Sequence, residues 1–360
     1  MMVIQLSPDM LIGGLQNFVL NQCEYLDSVK LSNKIIQWFT ATGPNRGKCV
    51  SLNAKSYKNI SSYFKFRHII TKELSENENV VVHSHGITLL LALSVCDLLI
   101  SGRLRWIHTV HNMAQNEAGK ARRLVWYCCF KFLKVRPVVI SDLVEASFKH
   151  VYGDIQITKI PNQINTDKIE KIADEKKEGI RRELSVSDRT KCVIVGRYDN
   201  QKNLVALFNL LINQQEFEAY EFIVITTGGH NGAEVEAVKN KFKSVRRVHF
   251  LHGRDDVPVV MSICDYYLSF SLFEGSPLTL MEAMCAGCVP IVTPTGGANE
   301  AVGEYGAVAS GFCEDSFLRA FSQARNIRFT RDQLTWYSLK KFSYEKCGSQ
   351  YVKLYRSKTA

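Results

Sequence analysis

Short runs of β-branched and apolar residues recur along this chain, each parted from the next by a helical pattern and turn residues. That alternation limits the folds open to it. "MMVIQLS", "NVVVHSH", "LRWIHTVH" and "RPVVIS" read as buried parallel strands of one domain. "KCVIVGR", "YEFIVITT", "RRVHFLHG", "DYYLSFS" and "CVPIVTP" read as those of a second. Strands alternating with helices predict βαβ units and parallel sheets. At 360 residues the chain is also long for a single core. Between the two sets, residues 164–190 are charged and poor in large apolar side chains, which marks a junction. The reading is an α/β chain of two Rossmann-like domains facing an interdomain cleft.

Charge placement narrows the partners. Residues 1–165 carry 19 lysines and arginines against 11 acidic residues, while 166–360 hold 26 against 24. The excess in the first half favours an anionic partner such as lipid headgroups or a phosphorylated substrate. No zinc-finger spacing, RNP-like aromatic motif or long basic block argues for nucleic acid. No apolar run is long enough for a membrane span. The N-terminus lacks the basic region of a signal peptide and reads as a first strand ending in a glycine loop. Eleven scattered cysteines, several inside apolar runs, suit reduced thiols better than a disulfide framework.

Ligands of open α/β sheets bind beyond the carboxyl ends of strands. Gly13 and Gly14 follow the first strand, His83 and His85 end another, His111 a third, and Arg197 follows "VIVG". A dinucleotide fingerprint and a P-loop are both absent. The segment "EGSPLTLMEAMCAGC" (274–288) holds Glu274 and Glu282, eight positions apart, and the pair Cys285 and Cys288. Ser276 is expected as an N-cap, Pro277 as the first helical residue and Gly287 as the stop. Glu274 then precedes the helix and Glu282 lies inside it. Between them, the helix N-terminus offers backbone N–H groups to an anion. Two carboxylates flanking an anion site suit a sugar joined to a diphosphate, and spacing alone reads equally well as two solvated glutamates. The cysteines read as packing thiols, since zinc would need two further ligands at sensible spacing.

In "VGRYDNQKN", Arg197 and Lys202 share a strand-to-helix turn and could hold a diphosphate. His111 opens a polar loop. His83 and His85 form an H-x-H that packs as readily as it binds metal. "GKARRLVWYCCFKFLKVR" (119–136) interleaves Arg122, Arg123, Lys131 and Lys134 with Trp126, Phe130 and Leu133. It reads as a core helix with a basic outer face, or as a membrane-surface helix.

Taken together these residues resemble the family 4 retaining glycosyltransferases, which have the GT-B fold. The matching features are Gly13-Gly14, His111, Pro161-Asn162, Arg197 with Lys202, the Glu-x7-Glu pair Glu274 and Glu282, and "TGGANE" at 295–300. The resemblance implies that Glu274 holds hydroxyls of the transferred sugar, helped by backbone of Gly275, Ser276, Pro277 and Leu278. Glu282 would bind the ribose. Arg197 and Lys202 would neutralise the leaving diphosphate, and His111 would contact the donor sugar. Gly13 and Gly14 would admit the phosphate or acceptor, and Arg254 in "LHGR" would lie near the base. "NQIN" at 162–165, Tyr198 and "FLHG" at 250–253 depart from the family pattern.

Residues 1–165, with the C-terminal helix at about 343–360, would form the acceptor-side domain, and 166–342 the nucleotide-sugar domain. The expected activity is transfer of a sugar from a nucleotide-sugar donor to a glycan or lipid-linked acceptor in surface polysaccharide synthesis (lipopolysaccharide, O-antigen or capsule). No metal or cofactor is expected. The expected setting is the cytoplasm, peripheral at the inner membrane face through the basic first domain. A nucleotide-sugar epimerase on the same fold and a non-catalytic membrane-associated binding protein are the alternatives.

Overall fold

The computed structural model describes every residue except 11–12, 40–48, 87–89, 118, 227–231 and 358–360. The chain divides into two compact units, Met1–Gln163 with Tyr344–Ala360, and Ile164–Ser343.

The first unit is built on a seven-stranded sheet. Its strands are β1 (Met2–Ser7), β2 (Asn33–Phe39), β3 (Cys49–Ala54), β4 (Val80–His85), β5 (Leu104–Val110), β6 (Arg136–Val139) and β7 (Thr158–Lys159). They lie in the order β3-β2-β1-β4-β5-β6-β7, every pair parallel. All six residues of β4 are buried, as expected of a parallel strand covered on both faces. The second unit holds six parallel strands: β8 (Thr190–Val195), β9 (Tyr220–Thr226), β10 (Arg247–His252), β11 (Tyr266–Ser269), β12 (Val289–Val292) and β13 (Ala307–Val308). Their order is β10-β9-β8-β11-β12-β13.

In each sheet the strand order reverses beside the first strand, between β1 and β4 and between β8 and β11. Such switch points open a crevice at the carboxyl ends of the two central strands. The loops after β1 and β4, and those after β8 and β11, therefore start at neighbouring points.

Residues 164–190, read as a junction, fold as the helices Thr166–Glu170 and Asp174–Leu184 of the second unit. Ile169 and Ile180 supply their buried apolar contacts, and the second unit begins at Ile164, the first residue of this segment. The basic and aromatic stretch forms the helix Lys120–Lys131. Trp126 and Phe130 do not face out: both are buried, Trp126 against His108 and Phe130 against Phe148. Leu133 is partly buried against the same core. The apolar side chains left exposed here are Leu124 and Phe132, at 67% and 69%.

Candidate functional site

The turn after β8 is shaped by a glycine. A Cβ on Gly196 would meet Lys202 Cγ at 3.1 Å, so the bare backbone lets the lysine stem cross it. Asp199 Oδ1 accepts from the Lys202 backbone N–H at 2.9 Å, and its other oxygen lies 3.0 Å from Arg197 Nη2. Arg197 stays half exposed, whereas the Lys202 side chain is folded inward. Asn203, in the left-handed region at φ 51°, starts the helix Leu204–Asn213.

Across the switch point, the loop after β11 carries Glu274. Its carboxylate is nearly enclosed, with Oε1 2.5 Å from Lys202 Nζ and 3.1 Å from the donating Ser271 hydroxyl. The Gln201 amide donates to Oε2 at 3.3 Å and to the Phe273 carbonyl at 3.1 Å. Burial alone would lower the Lys202 pKa, but the Glu274 charge, helped by Tyr267 and Asp199, holds it above the ordinary lysine value. The lysine thus stays protonated, its ammonium held by the glutamate.

The helix after Glu274 runs Leu278–Cys285. It begins one residue later than the sequence suggested. Pro277, at φ −72° and ψ 118°, holds the N-cap position because its ψ is still extended, so Ser276 lies outside the helix. Leu278 and Thr279 occupy the first turn, whose N–H groups lack helical acceptors. The helix ends at Gly287, φ +86°, with Gly287 N–H bonded to Met284 O and Cys288 N–H to Ala283 O. That is the Schellman pattern. Arg331 donates to the carbonyls of Ala286, Cys264 and Ser262, and a Cβ on Gly287 would strike its side chain at 2.5 Å. Cys285 and Cys288 are buried, and the Cys288 thiol donates to Met261 O at 3.0 Å. Burial raises the Cys288 pKa to about 12, so it stays a protonated packing group.

Glu282 is the fifth residue of that helix. Burial pushes its pKa up to about 7, and among the described residues its carboxylate has no hydrogen-bond or ion-pair partner. A desolvated carboxyl with no protein partner is a natural receiver for ligand hydroxyls.

The TGG loop braces this segment. A Cβ on Gly296 would lie 2.4 Å from the Glu274 carbonyl oxygen and 2.8 Å from that of Gly275. Gly297, at φ +72°, would bring one to 3.2 Å from Ser276 Cβ. Backbone approach this close admits only glycine. Arg254 is held by two carboxylates: Asp256 takes Nε at 2.6 Å and Nη2 at 2.7 Å, and Glu183 takes Nη1 at 2.5 Å. Its charge is largely answered within the protein.

In the first unit Gly13 precedes the helix Gly14–Ser28, and a Cβ on Gly14 would meet nothing within 4 Å, so the start of that helix is open. His111 follows β5. Its Nε2 is 3.0 Å from His85 Nδ1, and burial lowers its pKa to about 3. The rings of His83 and His85 pack tilted at 50° with centres 4.1 Å apart. Both are held by Tyr355, Thr109, Gln5 and His111. Among the described residues no three His, Cys, Asp or Glu side chains form a metal-binding group.

The structure therefore brings Lys202 to Glu274 within the second unit and seats His111 in a polar network of the first. Asp199, Gln201, Ser271 and Gly296 were not singled out from sequence. All four stand inside segments read from the sequence as strands or motifs, but only the strand order reveals what they touch.

Residues 175–332 match the model of the family described as glycosyl transferases group 1. Among relatives, glycogen synthase 1 of Synechocystis sp. is 25% identical over 225 residues, 57% of this chain and 46% of that one. The Escherichia coli UDP-Gal:alpha-D-GlcNAc-diphosphoundecaprenol alpha-1,3-galactosyltransferase is 25% identical over 67% of this chain and 65% of its own. The chain spans about half the length of the glycogen synthases it matches. A solved glycosyltransferase from Rickettsia africae aligns with a TM-score of 0.79 at 15% identity, covering 98% of this chain and 97% of that one. Anabaena HepE in complex with UDP and glucose aligns at 0.77 and 14% identity, covering 98% and 99%. The fold is GT-B.

Proposed function

We propose that this chain, whose residues 175–332 match the glycosyl transferases group 1 model and whose fold is GT-B, transfers a sugar from a nucleotide-sugar donor to a glycan or lipid-linked acceptor. The observation that carries the reading is the enclosed Lys202–Glu274 pair, with the Glu282 carboxylate, unpartnered among the described residues, in the adjoining helix. In this reading the donor exchanges the internal ion pair for its own contacts. Its diphosphate takes Lys202 and Arg197, its sugar hydroxyls take Glu274, and its ribose takes Glu282. The N–H groups that open the Leu278–Cys285 helix face the phosphate charge.

The acceptor hydroxyl oxygen forms the new bond to the anomeric carbon as the carbon–phosphate oxygen bond breaks, and the bonding pair leaves with the diphosphate. The hydroxyl proton passes to a phosphate oxygen on the same face, so the anomeric configuration is retained. Arg197 and Lys202 stabilise the charge that grows on the leaving group, and no metal is required. His111 contacts the donor sugar.

The acceptor is read as a surface polysaccharide or its lipid-linked precursor, met at a membrane face. Exposed Leu124 and Phe132 flank the basic positions Arg122, Arg123, Lys131 and Lys134, a pattern that supports contact with anionic headgroups. No helix among the described residues is long and apolar enough to cross a membrane. Flotation with phosphatidylglycerol vesicles tests this: salt-sensitive binding lost in Leu124→Glu/Phe132→Glu is expected, and no binding would remove the membrane element. For the reaction, products are analysed after incubating a panel of nucleotide sugars with and without glycan acceptors. Transfer with retained configuration is expected. An epimerised nucleotide sugar from donor alone, or nucleotide binding without turnover, would replace this reading.

A further inference from the structure

At the amino ends of its strands, the first unit holds two arginines that meet on a single serine. Arg105 is the second residue of β5 and Arg136 the first of β6. Arg136 pairs across with Ile107, and Ile107 shares a face with Arg105 because side chains alternate along a strand. The two arginines therefore rise from one face of the sheet, at the edge opposite the one where His111 follows β5. Both are half-buried.

Their contacts are few and uncharged. Arg105 Nη1 donates to the Ser357 carbonyl oxygen at 2.7 Å, and Nη2 to the Met1 thioether sulfur at 3.5 Å. Arg136 Nη1 donates to Ser357 Oγ at 2.9 Å, and that hydroxyl donates to Leu354 O at 2.9 Å. Among the described residues neither arginine has a carboxylate partner. Sulfur is also a weak acceptor, so most donors of the two guanidinium forks lack a good one.

Other arginines of this protein show what a settled guanidinium looks like. Arg246 donates to the carbonyls of Leu211, Ile212 and Gln214, and Arg331 to those of Ser262, Cys264 and Ala286. Arg67 instead takes both oxygens of Asp97. Arg105 and Arg136 do neither. Burial holds both below the ordinary arginine value, and the Arg136 charge lowers Arg105 further. Lys353 and Arg356, in the last turn of the Tyr344–Arg356 helix that leads to Ser357, add to the positive field.

We infer that Arg105, Arg136 and Ser357 form a phosphate-binding site on the first unit, additional to the diphosphate contacts of Lys202 and Arg197 in the second. Guanidinium forks take phosphate oxygens through paired N–H bonds. The Ser357 hydroxyl can turn from Leu354 O to donate to a further oxygen. A phosphate monoester, with a charge of about −1.5 to −2 at neutral pH, answers both guanidiniums at once. Inorganic phosphate and the headgroup of phosphatidic acid present the same chemistry. The site stands whether or not the chain transfers sugar.

The test follows tryptophan fluorescence of the full-length protein on heating, in potassium phosphate and in potassium chloride of equal ionic strength. Trp106, next to Arg105 in β5, is buried in this unit. Phosphate at several times its dissociation constant is expected to raise the wild-type midpoint by about 2–4 °C. Arg105→Gln and Arg136→Gln should lose that shift, and Lys202→Met should keep it. Ser357→Asp, which sets a carboxylate between the guanidiniums, should raise the midpoint without phosphate and blunt the response to it. Flotation with phosphatidylcholine vesicles carrying phosphatidic acid separates the two sources. Flotation lost in Arg105→Gln, without a phosphate shift, would assign the site to a lipid headgroup, and a shift without flotation to a soluble phosphate. Wild-type protein that shows neither would overturn the site, even if no variant folded. So would a shift kept in Arg105→Gln and lost in Lys202→Met, which places the phosphate at the donor contacts.

Discussion

Lys202 Nζ lies 2.5 Å from Glu274 Oε1, although the two residues are 72 positions apart and belong to loops after different strands. Both side chains are nearly enclosed, and Ser271 and Gln201 complete the carboxylate's shell. Removing one partner strands the other charge in a poorly solvated place. Lys202→Met is expected to cost about 3 kcal/mol, and Lys202→Met/Glu274→Gln to recover much of that loss. Urea denaturation midpoints check this; equal losses adding in the double variant would show that the pair is not coupled. Neither variant should regain sugar transfer.

Glu282 should make nucleotide binding depend on pH. Its carboxyl, raised to about 7 from the ordinary 4.5, must be ionised to accept ribose hydroxyls. Affinity for a nucleoside diphosphate is therefore expected to weaken as pH falls below about 7, with a proton released on binding. Titration calorimetry in buffers of different ionisation enthalpy measures that proton. Glu282→Gln should abolish the release, and an unchanged proton count would separate Glu282 from the nucleotide.

The two units should respond to acid with opposite signs. In the first, His83, His85 and His111 have folded-state values below the ordinary 6.5, so the unfolded chain binds more protons and stability falls as pH drops below about 6.5. In the second, Glu282 is raised, so the folded form binds more protons and that unit gains up to about 3 kcal/mol between pH 7 and 4.5. Below that window the second unit also weakens. Burial would raise Glu221, but Ser187, His249 and Arg247 hold it near 2, and that stabilisation disappears on protonation. Trp38, Trp106 and Trp126 are buried in the first unit, whereas Trp336 of the second is exposed. Tryptophan fluorescence at pH 5.5 should thus report loss of the first unit before circular dichroism reports global unfolding; coincident transitions would contradict this.

Glycines near Glu274 should not be interchangeable with alanine. Gly296→Ala forces a methyl into the Glu274 and Gly275 carbonyls. The expected outcome is a displaced Glu274 loop and at least tenfold slower sugar transfer, the scale on which misplaced site groups lose rate. Gly14→Ala, with open space around it, should leave thermal stability unchanged. Equal melting temperatures and equal activity in Gly296→Ala and wild type would remove the brace.

Much of this fold was legible because parallel strands covered on both faces are continuous apolar words. "VVVHSH" and "YEFIVIT" could be read without knowing their neighbours. β2, by contrast, mixes Asn33, Lys34 and Gln37 with its apolar residues, and β7 and β13 are two residues long, too short to carry a period. The helix after Glu274 was visible in its Pro, Glu and Gly spacing, yet its start moved by one residue because a proline fixes φ and not ψ. The pairing of Lys202 with Glu274 was not legible, since it follows from β8 lying beside β11. The buried hydrogen bonds that join Gln5, His83 and His85 to Tyr355 left no local trace either. Gln5 and Tyr355 look unremarkable in their own segments and acquire meaning only when three strands and the last helix meet.

The central claim is that Lys202 and Glu274 exchange each other for a nucleotide sugar. The most direct measurement is steady-state transfer or donor turnover for wild type, Lys202→Met and Glu274→Gln, with nucleoside diphosphate affinity measured on the same preparations. The account predicts kcat falling by two orders of magnitude or more in both variants, on the scale of one lost electrostatic stabiliser. It also predicts weakened diphosphate binding in Lys202→Met alone. Wild-type turnover in both folded variants would contradict it.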